Sequence, residues 1–207
     1  MYIVGRSRRI NQARGRAAVA AAIEAGSRAS EIVGLPVFVW SSVFSADGPA
    51  VSWSARVEHL ADAVALDDKM FADEGFAQWV EDNDGLFLGP TSDVISQVVH
   101  GAPTGPPKAY VQLTRAICAN GSLSEGMGVG IELAETAERI TGMPVMFVTP
   151  VVGDYGGVGW MVIVEDFAEV EAANVALSTD DDWLKLVDRA GHAFNPGTSS
   201  IILRRIG

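Results

Sequence analysis

The feature that most constrains this chain is that it is written twice. Gly34-Leu35-Pro36-Val37 recurs as Gly142-Met143-Pro144-Val145, and the same displacement of 108 residues (34 to 142) pairs Tyr2 with Tyr110 and Ile23 with Ile131. Farther on, a displacement of 107 (53 to 160) pairs Trp53 with Trp160, Glu58 with Glu165, Phe76 with Trp183 and Thr91-Ser92 with Thr198-Ser199. One residue has therefore been lost between Val43 and Trp53. Collinear matches over nearly a whole half, with one deletion in a Gly-rich loop, mark an internal repeat, and a repeat dictates the fold plan. It predicts one unit at 1–101 and a second at 109–207, each near the size of a small domain. The segment 102–108 between them holds three prolines and a glycine, which exclude helix and central strand and read as a semi-rigid linker.

Each half parses in the same order. Tyr2 to Arg9 and Tyr110 to Ile117 are short β-branched or aromatic runs that predict first strands. A helix follows. Val19, Ala22, Ile23 and Gly26 match Met127, Gly130, Ile131 and Ala134 at helical spacing, and Ser122 with Glu125 has the spacing of a capping box. The Gly-x-Pro element stops that helix and starts a second strand, from Val37 or Val145. A turn through Asp47-Gly48-Pro49 or Asp154-Tyr155-Gly156-Gly157 leads to a third. A second helix begins near Glu58 or Glu165, the apolar Phe76, Trp79, Val80 and Trp183, Leu186, Val187 add a short one, and Val94 to His100 or Ile201 to Ile206 closes the half. The order βαββαβ is the ferredoxin-like plan, so the fold class expected is α+β.

Composition excludes several functions. Hydrophobic residues are 48% and charged residues 20%, which places the chain among globular proteins. The net charge of -11 is spread evenly and includes no basic arm, so no nucleic acid is expected as a partner. A single cysteine, Cys118, leaves no internal disulfide, cysteine-rich zinc site or iron–sulfur cluster to build, and a reducing cytoplasm is the compartment expected. Neither a secretory signal nor a membrane span is read from the sequence, so no membrane is expected.

Two βαββαβ units in one chain, with repeated Gly-x-Pro-Val elements and Trp-containing third strands, resemble the dimeric α+β barrel superfamily over the whole length. The resemblance implies two open sheet faces brought together into a barrel, in a fused form like that of chlorite-dismutase-like and NIPSNAP-like members. It also implies a range of activities: cofactor-free quinone monooxygenases, haem-degrading monooxygenases, haem peroxidases, lactone isomerases, and members without known chemistry. Fold alone does not choose among them. Asn11, Asn120, Trp40 and His192 are residue types that the monooxygenases use, but their spacing matches no such set.

Strand alternation nominates the binding residues. With Ile3, Val111 and Leu113 against the helices, Arg6, Arg8, Gln112 and Thr114 would face the barrel interior. In the third strands Ser54 and Arg56 stand where the second half has Met161 and Ile163. Arg6, Arg8 and Arg56 would then orient an anionic group of an aromatic or lipid-like ligand, with Trp40 and Met161 as apolar walls. The alternative is that these arginines pair with surplus carboxylates at the surface. His192 is the candidate catalytic base or axial ligand; His59 and His100 are not placed for either role. No metal site and no cofactor are predicted, although haem stays open under the resemblance. Gly126-Met127-Gly128-Val129-Gly130 reads as close helix–sheet packing, Asp180-Asp181-Asp182 as a helix start, and Cys118 as a half-buried thiol.

The leading expectation is a small-molecule-binding barrel with monooxygenase-type or isomerase-type activity. Its rival is a non-catalytic assembly protein that uses the tandem fold for oligomerisation; a homo-oligomer is expected in either case. An amino-acid-sensing module of the ACT type shares the element order but fits the halves less well.

Overall fold

The computed structural model describes residues 1–45, 48–102 and 105–207. Ala46 and Asp47 of the first hairpin turn and Pro103 and Thr104 of the linker lie outside them. The elements run β1 (Tyr2–Ile10), α1 (Gly15–Val33), β2 (Phe38–Phe44), β3 (Ala50–Val57), α2 (Leu60–Ala72), α3 (Glu74–Asn83) and β4 (Phe87–His100). They continue with β5 (Tyr110–Ile117), α4 (Leu123–Thr141), β6 (Val145–Val152), β7 (Gly157–Val164), α5 (Phe167–Thr179), α6 (Asp181–Ala190) and β8 (Ser199–Arg205). The strands form a closed eight-stranded antiparallel barrel in the order β1-β3-β2-β8-β5-β7-β6-β4, which makes the fold a mixed α+β barrel.

By compactness the chain divides into Met1–Ser96 with Arg204–Gly207, and Gln97–Leu203. The end of β8 thus belongs to the first unit, where Ile206 N donates to Val39 O (2.8 Å) and Val39 N donates to Gly207 O (3.0 Å).

The same stabilising contacts recur in each unit at the spacings read from the sequence. In the first, Trp53 Nε1 donates to the Ala22 carbonyl of α1 at 2.9 Å; in the second, Trp160 Nε1 donates to the Gly130 carbonyl of α4 at 2.8 Å. Each indole also meets a phenyl ring edge-on, Trp53 with Phe87 at 6.2 Å and Trp160 with Phe194 at 5.5 Å. A buried indole N–H needs an acceptor, and a helix carbonyl supplies it. Asp73 caps α3 through Phe76 N (2.7 Å), and Asp180 caps α6 through Trp183 N (2.8 Å). Gly34 and Gly142 end α1 and α4 in the left-handed region, at φ 76° and 70°.

Small residues let the long helices sit close to their sheets. Ala18, Ala21, Ala22, Ala25, Gly26 and Ala29 line the buried face of α1. This face is rotated from the stripe expected from the sequence, and Ile23 lies at its outer edge, 36% exposed. The expected capping box at Ser122 is not formed: the Ser122 side chain makes no cap hydrogen bond, and the Glu125 carboxylate lies against His192. β4 begins at Phe87, seven residues before the expected Val94, and β8 at Ser199, two before the expected Ile201; Pro196 and Gly197 (φ 109°) precede it and keep it from starting as early as β4 does.

Candidate functional site

Strand register decides which side chains share a face, because directly opposed residues in an antiparallel pair point the same way. In the first unit Arg6 lies opposite Trp53 and Arg8 opposite Val51. Trp53 reaches the α1 backbone, so both arginines are on the helix-covered face, contrary to the sequence expectation. Gln112 opposite Val162 and Thr114 opposite Trp160 are likewise on the helix-covered face of the second unit. Both first strands thus differ from the expectation in the same way: their phase relative to the third strands is shifted by one residue.

The relocated arginines act as the ion-pairing alternative foresaw. Arg6 Nε donates to Asp93 Oδ1 at 2.7 Å and Nη2 to Asp67 Oδ1 of α2 at 3.2 Å. The hydrogen bond to Asp93, more than any other contact, holds its guanidinium above the usual proton affinity. Arg8 Nη2 reaches Asp84 at 3.1 Å and the Gly89 carbonyl at 3.3 Å, and its guanidinium stands 5.0 Å from the centre of the Phe87 ring. Thr114 Oγ1 is 3.3 Å from Ser200 Oγ.

The opposite face of the first unit's sheet carries Ser52, Ser54 and Arg56 of β3, beside Phe38 and Trp40 of β2 and Ile3, Gly5 and Ser7 of β1. Trp40 is 5% exposed, and its Nε1 donates to Ser54 Oγ at 2.9 Å, which fixes the indole plane. Burial pushes Arg56 below the usual guanidinium proton affinity. The helix-free face of the second unit has Val111, Leu113, Met146, Val148, Met161 and Ile163, with Arg115 farther along β5 opposite Gly159. Val148, Met161 and Ile163 align in sequence with Trp40, Ser54 and Arg56. At these three aligned positions the first unit has an indole, a hydroxyl and a guanidinium, and the second has apolar side chains. Ser54 is named from sequence beside Arg56 without a binding role, and Ser52 is not named at all; the polar Ser-x-Ser-x-Arg alternation of β3 is its signal.

His192 lies after α6, 62% exposed at its side chain, with Nε2 2.6 Å from Glu125 Oε1 at the start of α4. The first copy has Gly85 and Ala17 at these positions, so this pair exists only in the second. His59 is the residue capping α2, where its backbone N donates to Asp62 Oδ2 at 3.0 Å, and His100 Nδ1 is 3.9 Å from Glu135. Cys118 is buried, and desolvation pushes its thiol above the usual range. A Cβ on Gly126 would stand 2.5 Å from Cys118 Sγ, and one on Gly130 2.5 Å from the Phe147 ring, so these glycines do serve close packing. Among the described residues no group of three or more His, Cys, Asp or Glu side chains is placed to hold a metal, and no helix is long and apolar enough to cross a membrane.

No protein-family profile and no curated protein matches the sequence. Similarity appears in solved structures. A "putative monooxygenase" of Fusobacterium nucleatum superposes over 100% of this chain and 92% of its own, with TM-score 0.69 and 9% identity. An anthrone oxidase-like protein does so over 100% and 91%, with TM-score 0.63 and 12% identity. A mutant chlorite dismutase from Candidatus Nitrospira defluvii covers 98% and 90%, with TM-score 0.54 and 10% identity. At such identities the likeness is one of fold. The chain shares the α+β barrel fold of these monooxygenase-like and chlorite dismutase structures.

Proposed function

We propose that this chain is a tandem duplicate in which the first unit's helix-free sheet face binds a small aromatic anion for monooxygenase-type oxidation. One observation carries the reading: the desolvated Arg56 shares that face with the buried, serine-anchored Trp40, while the second copy has only apolar residues at the matching positions. A guanidinium in a partly desolvated place favours an anion more than it would in water, and an indole held by a hydrogen bond presents a flat apolar wall. Arg56 holds the phenolate or enolate oxygen, Trp40 stacks on the ring, and Ser52 supplies a hydroxyl. The likeness in fold to proteins named for monooxygenase and anthrone oxidase activity supports the reaction class. In such a reaction a ring CH₂ becomes C=O with dioxygen, one oxygen atom staying in the product and the other leaving as water. His192, engaged by Glu125, stands outside this assignment.

The test is oxygen uptake and calorimetric titration with a hydroxylated anthrone. Uptake should match substrate consumed, and Arg56→Met should lower kcat/KM by about tenfold to a hundredfold, as expected when a charge-assisted contact to the reacting anion is removed. Oxygen uptake equal to the buffer rate, with no saturable heat, refutes the reading.

A second reading, assembly into homo-oligomers, draws on α2. Leu60, Val64 and Phe71 lie along one side of that helix and are 39%, 60% and 77% exposed, whereas the second copy has Phe167, Glu171 and Ser178 there. Native mass spectrometry of the intact chain and of Phe71→Ser tests it; a monomer in both cases removes it.

A further inference from the structure

A groove of about 320 Å³ runs between α4 and α6 of the second unit, lined by Glu132, Thr136 and Arg139 from one helix and Asp182, Lys185, Leu186 and Arg189 from the other. Its apolar floor is Leu186, 5% exposed. Arg189 is ion-paired with Glu132 across the groove. Among the described residues Lys185 has only Asp182, one turn away on the same helix at 3.6 Å, with both side chains at least 76% exposed. Such a pair is screened by water and gives way at little cost. The side chains of Thr136 and Arg139 engage no partner among the described residues.

The repeat supplies an internal comparison. At the positions of Arg139, Lys185 and Arg189 the first copy has Glu31, Gln78 and Asp82, and Thr136 is replaced by Arg28, which is spent on Glu24 within its own helix at 2.8 Å. Three basic groups against two acidic ones in the second unit thus stand where the first has one basic against three acidic. A chain with net charge -11 has reversed the local sign at one place, between two helices that leave a groove.

We propose that this groove binds a compact organic anion bearing a carboxylate or phosphate group. Arg139 and Lys185 supply the cationic donors, Thr136 a hydroxyl, and the Arg189–Glu132 pair one fixed wall. The apolar floor accepts the ligand's carbon skeleton.

The experiment is a titration of the ¹⁵N-labelled intact chain with inorganic phosphate and, separately, with citrate, at constant ionic strength set by chloride. Saturable amide shifts confined to Thr136, Arg139, Lys185 and Arg189 are expected. They should weaken about tenfold in Arg139→Gln or Lys185→Gln, the loss of one charge-assisted contact, while Arg28→Gln in the first unit leaves them unchanged. Whichever of phosphate and citrate binds more tightly identifies the anion type. The same spectra report whether each variant is folded, and both substituted residues are exposed. Shifts that fail to saturate, that chloride reproduces, or that persist undiminished in the Arg139→Gln, Lys185→Gln double variant overturn the proposal.

Discussion

Two glycines on one helix should respond to the same substitution with opposite signs. Gly128 and Gly130 both lie inside α4, so Ala at either position gains about 0.8–1.0 kcal/mol of helix propensity. At Gly128 the new methyl meets nothing within 4 Å, and that gain should appear almost whole. At Gly130 it would stand 2.5 Å from Cζ and 2.6 Å from Cε2 of Phe147, a ring that is 0% exposed and has nowhere to turn. Relieving such an overlap costs about 1–3 kcal/mol. It also pushes the helix away from Trp160, whose indole is bonded to the Gly130 carbonyl. Gly130→Ala should therefore destabilise by about 1 kcal/mol net, while Gly128→Ala stabilises by slightly less than that. For a chain of this length each kcal/mol moves the melting temperature by about 2–4 °C. Urea and thermal melts of both variants measure the difference. Adding Phe147→Leu to Gly130→Ala should cost less than the two single changes summed, because the smaller side chain removes the overlap. A Gly130→Ala protein that melts at or above the parent, or a cycle without coupling, refutes the packing account.

Removing the repeated helix caps, Asp73→Ala and Asp180→Ala, should cost about 1 kcal/mol each and combine additively in the double variant, as read from urea midpoints. The buried Cys118 thiol carries a pH signature. Because its folded pKa lies above the unfolded one, its contribution is fully present below the ordinary thiol range. It is lost as pH rises through the folded pKa, where the unfolded chain has already released the proton. Urea midpoints from about pH 8 to 10.5 should fall more steeply in the parent than in Cys118→Ala.

The collinear matches between the two halves make the architecture readable, because each element has two chances to declare itself. Gly34 and Gly142 marked the same helix end, and Trp53 and Trp160 the same strand. What failed was phase. Arg6 and Arg8 alternate with Ser7 and Arg9 and mask the apolar side made by Tyr2, Val4 and Ile10, so the pairing with Trp53 and Val51 settles the phase of β1. Strand β3 was readable, since Trp53, Ala55 and Val57 form one apolar side and leave Ser54 and Arg56 on the other. The partner of His192 was hidden for a different reason. Glu125 sits three residues after Ser122, a spacing that announces a local cap, whereas its bond is to a residue 67 positions away. Such long-range contacts leave no periodic trace in sequence.

The bonds from Val39 to Ile206 and Gly207 have a consequence for how the molecule is made. On the ribosome β2 emerges early, and its outer edge waits for residues that lie across most of the chain. At ordinary elongation rates that interval is of the order of ten seconds. Throughout it, Phe38–Phe44 presents unpaired amides and carbonyls to any passing strand. The half translated first is thus the half completed last, and a nascent polypeptide stalled short of Arg204 would carry an open, adhesive border.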